Sequence, residues 1–142
     1  MKAGAEPLQV FIDGASRGNP GEASFGVHVT AADGRELAGL YGYLGHASNN
    51  VAEYEALLHA LRWALARGVR RLQVFSDSEL VVKQMSGAYR VKHPDMVPRH
   101  REAQALLRRF ERVSLGHVPR AQNQDADRLA NRALDERASK LD

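Results

Sequence analysis

Apolar and polar positions alternate in the first third of the chain and then recur every third or fourth residue, and this change of period divides it into elements. Residues 8–15 carry a short apolar run, Val10, Phe11 and Ile12, that breaks into a turn rich in Gly and Pro, which predicts a strand. Residues 23–30 alternate enough for a second strand. Ala32, Asp33 and Gly34 suit a hairpin turn, and residues 36–44, with Leu37, Leu40, Tyr41, Tyr43 and Leu44, predict a third strand. Short connections make these three an antiparallel meander. From 50 to 67 the apolar residues Val51, Tyr54, Leu57, Leu58, Leu61, Ala64 and Leu65 are spaced as on one helix, with Asn49 or Asn50 as its cap and Gly68 as its stop.

A fourth strand spans 71–76 and ends at Asp77, and a short helix follows from 78 to about 85. Beyond a loop holding Pro94, a helix from Pro98 to about 112 carries Ala103, Leu106, Leu107 and Phe110. Residues 113–118 read as a fifth strand. The last helix starts near Asn123, with Ala126, Leu129, Ala130, Ala133 and Leu134 on one face. Three adjacent strands followed by alternating helix and strand predict an α/β fold with a mixed five-stranded sheet flanked by helices. With no repeat, linker or low-complexity tract, residues 1–142 read as one domain, with 1–7 and the last few residues expected to be loose.

Composition narrows the chemistry. The 142 residues are 44% hydrophobic and 26% charged, the balance of a folded globular chain. The absence of cysteine removes disulfides, zinc–thiolate sites and cysteine nucleophiles from consideration. No apolar run approaches the roughly 20 residues of a membrane helix, and residues 1–7 lack the apolar core of a signal peptide, so a cytoplasmic protein is the expectation. The net charge of +3 is small, but Arg90, Lys92, Arg99, Arg101, Arg108, Arg109 and Arg112 crowd one segment. Such a segment is either a phosphate-contacting region or a solvated helix face.

Four acids carry the functional signal. Asp13 ends an apolar strand at the entrance to a turn, where a buried carboxylate needs a compensating charge. Asp77 also ends a strand, and ligand sites in α/β sheets gather at such ends. Glu53 and Asp127 fall near the starts of the first and last long helices, where an acid also supports the helix dipole by roughly 0.3–1 kcal/mol. Asn50 and Glu53 even have the spacing of a capping box, and Asp77 could simply cap the helix after it. Together the four suggest a site that divalent cations would neutralise, and oxygen-only ligands select Mg²⁺ or Mn²⁺.

The stretches Asp13-Gly-Ala-Ser-Arg-Gly-Asn-Pro-Gly21, Asn49-Asn-Val-Ala-Glu-Tyr54, Ser76-Asp-Ser78 and His117-Val-Pro-Arg-Ala-Gln-Asn-Gln-Asp-Ala-Asp-Arg-Leu-Ala130 are similar, in this order, to those of type 1 ribonuclease H. Gln84-Met-Ser-Gly87 and Val91-Lys-His-Pro94 resemble a compact prokaryotic branch of that family. The resemblance implies a ribonuclease H-like fold, with Asp13, Glu53, Asp77 and Asp127 as both catalytic and metal-binding residues. Two Mg²⁺ or Mn²⁺ ions roughly 3.5–4 Å apart would act in hydrolysing the RNA strand of an RNA–DNA hybrid, leaving 5′-phosphate and 3′-hydroxyl ends with little sequence specificity. It also implies contacts from Ser16, Asn19, Asn49 and Asn50 to sugar and backbone, and from Ser48 to a phosphate. Each has a local alternative, since Asn19 before Pro20 is good turn chemistry and Asn49 or Asn50 a good cap. Asp125 reads as a helix-start acid.

Two departures from the family pattern stand out. His117 has the right count back from Asp127 to match a mobile histidine that assists product release, yet the strand-like run into Pro119 puts it at a strand end; Arg120 in the loop is the other candidate for an assisting role. The Trp-rich basic protrusion of some bacterial members has no room here, and the sole tryptophan, Trp63, sits on the first long helix. An RNA–DNA hybrid is the expected partner, with no membrane and no obligate protein partner. The alternatives are a nuclease of the same fold acting on double-stranded RNA or DNA junctions, and a catalytically silent nucleic-acid-binding module.

Overall fold

The computed structural model describes residues 6–141. In chain order its elements are β1 (Leu8–Arg17), β2 (Gly21–Thr30), β3 (Glu36–Ala47), α1 (Asn49–Ala66), β4 (Arg71–Ser76), α2 (Glu79–Ser86), α3 (Val97–Leu107), β5 (Arg112–His117), a 3₁₀ turn (Arg120–Gln122) and α4 (Gln124–Glu136). The strands form one sheet in the order β3-β2-β1-β4-β5. β1 runs antiparallel to β2, β2 antiparallel to β3, and β4 and β5 lie parallel to β1. This is the expected mixed sheet. Of the terminal segments expected to be loose, residues 1–5 and 142 lie outside the described residues. Near the other end, Lys140 exchanges two backbone hydrogen bonds with Tyr41 of β3, at 2.7 and 2.9 Å.

The alternation of the strands assigns each residue to a face. Val10 and Ile12 of β1, Val27 and Val29 of β2 and Leu72 and Val74 of β4 are all buried and belong to one core. α1 closes it. That helix buries Ala52, Tyr54, Ala56, Leu57, Leu58, Ala60, Leu61 and Ala64, because one side rests on the sheet and α3 packs against another. α4 takes the opposite face. Its small residues Ala126, Ala130 and Ala133 let its backbone approach β2 so closely that a Cβ on Gly26 would stand 2.2 Å from the Ala126 carbonyl oxygen. Ser24 donates to the Ala130 carbonyl at 2.6 Å, and the buried Asn123 side chain donates to the Ile12 carbonyl at 2.8 Å, fastening α4 to β2 and β1.

Three local expectations are corrected. The cap of α1 is Ser48, not Asn49 or Asn50: its extended backbone (φ −78°, ψ 161°) lets the hydroxyl accept from the Val51 N–H at 3.1 Å, which places both asparagines inside the first turn. The capping box of Asn50 and Glu53 is therefore not formed. Ser78, not Asp77, caps α2, and Gly87 ends it with a left-handed backbone. α3 stops at Leu107 rather than near 112. Phe110 turns into the core, and the N–H groups of Glu111 and Arg112 bond to the Arg70 carbonyl, which starts β5.

Candidate active site

The carboxyl ends of β1 and β4 lie side by side, because Ile12 pairs in register with Ser76. Each strand therefore delivers an acid at the same edge, Asp13 in β1 and Asp77 immediately after β4. Glu53 arrives from above on the second turn of α1. A Cβ on Gly14 would sit 2.4 Å from the Glu53 backbone nitrogen and 2.5 Å from the Ala52 carbonyl carbon, so only glycine admits the helix this near the strand. The Gly14 N–H then donates to Glu53 Oε1 at 2.8 Å and fixes that carboxylate. Oxygens of Asp13, Glu53 and Asp77 all lie within 4.8 Å of one another. Asp127, on α4, lines the same cavity and lies near enough to Asp13 to raise its proton affinity, but it stands outside that three-carboxylate cluster.

Burial and crowding make this cluster unstable as a set of bare anions. Asp13 and Glu53 are almost fully buried. Burial is the largest reason the Asp13 carboxyl is pushed up to about 9, followed by Glu53, Asp77 and Asp127 nearby. Burial likewise pushes Glu53 up to about 8, aided by Asp77; the Gly14 N–H and the Arg120 guanidinium pull the other way. Burial and crowding thus favour the protonated forms of Asp13 and Glu53 in the absence of a cation. A divalent ion satisfies the same oxygens: with ligand bonds near ~2.1 Å, donors on opposite sides stand about 4.2 Å apart, within the span of this cluster. The donor set fits a hard divalent cation.

The acids open on a cavity of about 440 Å³, lined also by Ser16, Arg17, Asn49, Ser78, Arg120 and Asn131. Of the residues expected to contact substrate, Ser16 and Asn49 line this cavity, whereas Asn19, Ser48 and Asn50 do not. Ser16 donates to the Gly18 carbonyl and, at 3.4 Å, to the Ala47 carbonyl. The Asn19 side chain accepts from the Asn49 N–H at 3.0 Å and so ties the β1–β2 turn to the start of α1. Arg120, in the 3₁₀ turn, lines the cavity. His117 does not; it is exposed at the end of β5, paired with Ser76. Asp125 holds Arg128 at 2.8 Å, as a helix-start acid. The basic segment is split: Arg99 binds Glu55 at 2.8 Å and His100 bonds the Gln84 carbonyl, while Arg101 and Arg108 line a groove along α3. Only residues 87–96 connect α2 to α3, so no protrusion forms there.

Sequence reasoning missed Arg17 and Asn131 as cavity residues. Each lies four positions beyond a cavity acid, Arg17 after Asp13 along a strand and Asn131 after Asp127 along a helix, and both periods return a side chain to the same face. That spacing was the available signal.

The comparisons agree with this geometry. A family profile described as reverse transcriptase-like matches residues 11–133. Ribonuclease HI of Halobacterium salinarum is 43% identical over 129 residues, covering 91% of this chain and 65% of that protein. The crystal structure of RNase H1 from the same archaeon superposes with a TM-score of 0.89, covering 92% of this chain and 98% of that one. This chain belongs to the type 1 ribonuclease H family. A bifunctional protein of Mycobacterium tuberculosis is 49% identical over 127 residues, and the chain spans about a third (35%) of its length. The structure of LC11-RNase H1 in complex with an RNA/DNA hybrid is 37% identical, with a TM-score of 0.87, covering 91% of this chain and 97% of that one.

Proposed function

We propose that this ribonuclease H family member is an endonuclease that hydrolyses the RNA strand of RNA–DNA hybrids, leaving 5′-phosphate and 3′-hydroxyl ends. The observation that carries it is the convergence of Asp13, Glu53, Asp77 and Asp127, from β1, α1, the end of β4 and α4, on one open polar cavity. The hybrid bound to LC11-RNase H1 supports the substrate. The four carboxylates would hold Mg²⁺ or Mn²⁺, two ions when substrate is bound, which supply an activated water and charge stabilisation at the leaving oxygen.

The chain's own groups do the rest. Water adds in line to phosphorus and gives up a proton to solvent, the bond to the 3′ oxygen breaks, and the departing oxygen takes a proton from solvent. Ser16 and Asn49, at the cavity wall, would meet the sugar and backbone of the strand, where the 2′-hydroxyl separates RNA from DNA. Asn19 supports Asn49 through its backbone N–H, and Ser48 through the helix cap. Arg120, which offsets the charge of Glu53, would assist at a phosphate, and His117, exposed at the end of β5 beside Ser76, would act in product release. The cytoplasm, where RNA primes and invades DNA in prokaryotes, is the compartment this chemistry suits.

The test is cleavage of an end-labelled RNA–DNA hybrid with Mg²⁺, Mn²⁺ or EDTA, beside duplex RNA, duplex DNA and a DNA junction. Metal-dependent cutting of the RNA strand of the hybrid is the expected result. Cutting of duplex RNA or the junction alone would move the assignment to another nuclease of this fold. Folded protein that binds hybrid and cuts nothing would overturn catalysis.

A further inference from the structure

Two of the cavity-lining residues are cationic, and their charges are committed differently. Arg120 is near enough to Glu53 to lower its proton affinity. Arg17 closes β1, four residues past Asp13. The even spacing keeps the two on one face of the sheet, about 13 Å apart along the strand. One terminal nitrogen of Arg17 donates to Asp135 of α4 at 2.6 Å. Glu22 is directly opposite Arg17 in the β1–β2 register, yet it pairs with Arg137 at 2.6 Å instead. Arg17 is thus turned toward α4 and the cavity rather than toward its cross-strand neighbour.

Stability is a weak reason for this arrangement. The Arg17 and Asp135 side chains are 51% and 65% exposed, and an ion pair that open to water is worth about 1 kcal/mol or less. Guanidinium groups carry five N–H donors in a planar fork that matches a phosphate, and a single carboxylate oxygen engages only one nitrogen of this one. A polyanionic strand entering a cavity with four carboxylates also needs cations along its path, and Arg17 and Arg120 are the cationic residues of its lining.

We propose that Arg17 binds a backbone phosphate of the nucleic-acid strand in the cavity, one flanking the cleaved bond, and that Asp135 is the positioning residue that holds the guanidinium for that contact. This rests on the nuclease function proposed above. The competing account is a tether between the β1–β2 hairpin and α4, which would appear in stability rather than in substrate affinity.

The experiment compares the intact chain with Arg17→Ala, Arg17→Lys, Asp135→Asn and the double variant, in Mg²⁺ with hybrid at several KCl concentrations, with thermal melts beside them. Arg17→Ala is expected to raise KM about tenfold with kcat within about twofold, and to lower the slope of log KM against log salt by about one. Arg17→Lys recovers part of the KM. Asp135→Asn raises KM about threefold, and that rise disappears in the Arg17→Ala background. An unchanged KM and salt slope in Arg17→Ala, or a melting temperature lowered with affinity intact, overturns the proposal. If the parent chain cuts no hybrid, the nuclease function is what has failed. The phosphate contact is then read by anisotropy of labelled hybrid, duplex RNA and duplex DNA in EDTA, where it falls if Arg17→Ala weakens none of them.

Discussion

Replacing Asp13 by Asn should stabilise the metal-free protein, and by an amount that depends on pH. The Asp13 carboxyl sits at about 9 in the fold against an ordinary 3.8, chiefly through burial. Below pH 4 both folded and unfolded chains carry the proton, and folding loses nothing there. Between pH 4 and 9 the unfolded chain ionises while the folded one keeps its proton, so stability falls as pH rises. Carried from 3.8 to pH 7, that penalty has a ceiling of about 4 kcal/mol. Glu53 is raised in the same cluster and is coupled to Asp13, so about half of it, about 2 kcal/mol, should be recovered by the Asn amide, which has the same shape and does not titrate. For a chain of this size that is a rise of about 6 °C in melting temperature. Melts in EDTA from pH 4.5 to 8.5 should show Asp13→Asn level with the parent at the acid end and well above it at the alkaline end. Saturating Mg²⁺ should reverse the order at pH 7, because cation binding stabilises only the site with its carboxylates intact, by about 2.7 kcal/mol at a hundredfold excess over Kd. A pH-independent difference, or destabilisation by Asp13→Asn at pH 8 in EDTA, would refute the electrostatic account.

The remaining predictions concern single contacts. Asp77→Asn should leave the melting temperature within a few degrees of the parent, since Asp77 is only half-buried, and lower hybrid cleavage by at least about 10³-fold; near-parental activity in the labelled-hybrid assay would remove Asp77 from the site. Gly14→Ala should cost about 3 kcal/mol or more in urea denaturation, because its methyl meets the α1 backbone at 2.4 Å; a neutral result would mean that α1 can lift off β1 freely. Ser48→Ala should cost about 1 kcal/mol in the same measurement, and Ser48→Asp much less, as expected of a cap.

The fold was largely legible because its elements keep clean periods. The change from alternation in residues 23–44 to three- and four-residue spacing after Asn49 marks the passage from meander to helix, and the sheet and α1 follow from it. The four acids were legible as strand-end and helix-start residues whose ordered motifs match a family. What stayed hidden depends on distances between elements. Ser48 takes the cap from Asn49 because the end of β3 delivers it with an extended backbone, which neighbouring residue types do not specify. The early end of α3 follows from the pull of Phe110 into the core and the backbone bonds to Arg70. Arg17 and Asn131 join the cavity only because strand and helix converge there. The basic segment read as one feature divides because Glu55 and Gln84, both distant in sequence, claim Arg99 and His100.

The two faces of the sheet carry the acids unequally. Asp13, Glu53 and Asp77 are held by β1, α1 and β4 around one core, whereas Asp127 rides on α4, fastened from the other side by Ser24 and Asn123. A local opening that frees α4 breaks those two side-chain bonds and withdraws Asp127 while the other three stay together. The four carboxylates are therefore held at two levels of stability. A cation held by Asp13, Glu53 and Asp77 would keep those three ligands while α4 loosens and would lose only the contribution of Asp127. Separating the fourth carboxylate from the other three then needs no global motion, only the loosening of one thirteen-residue helix.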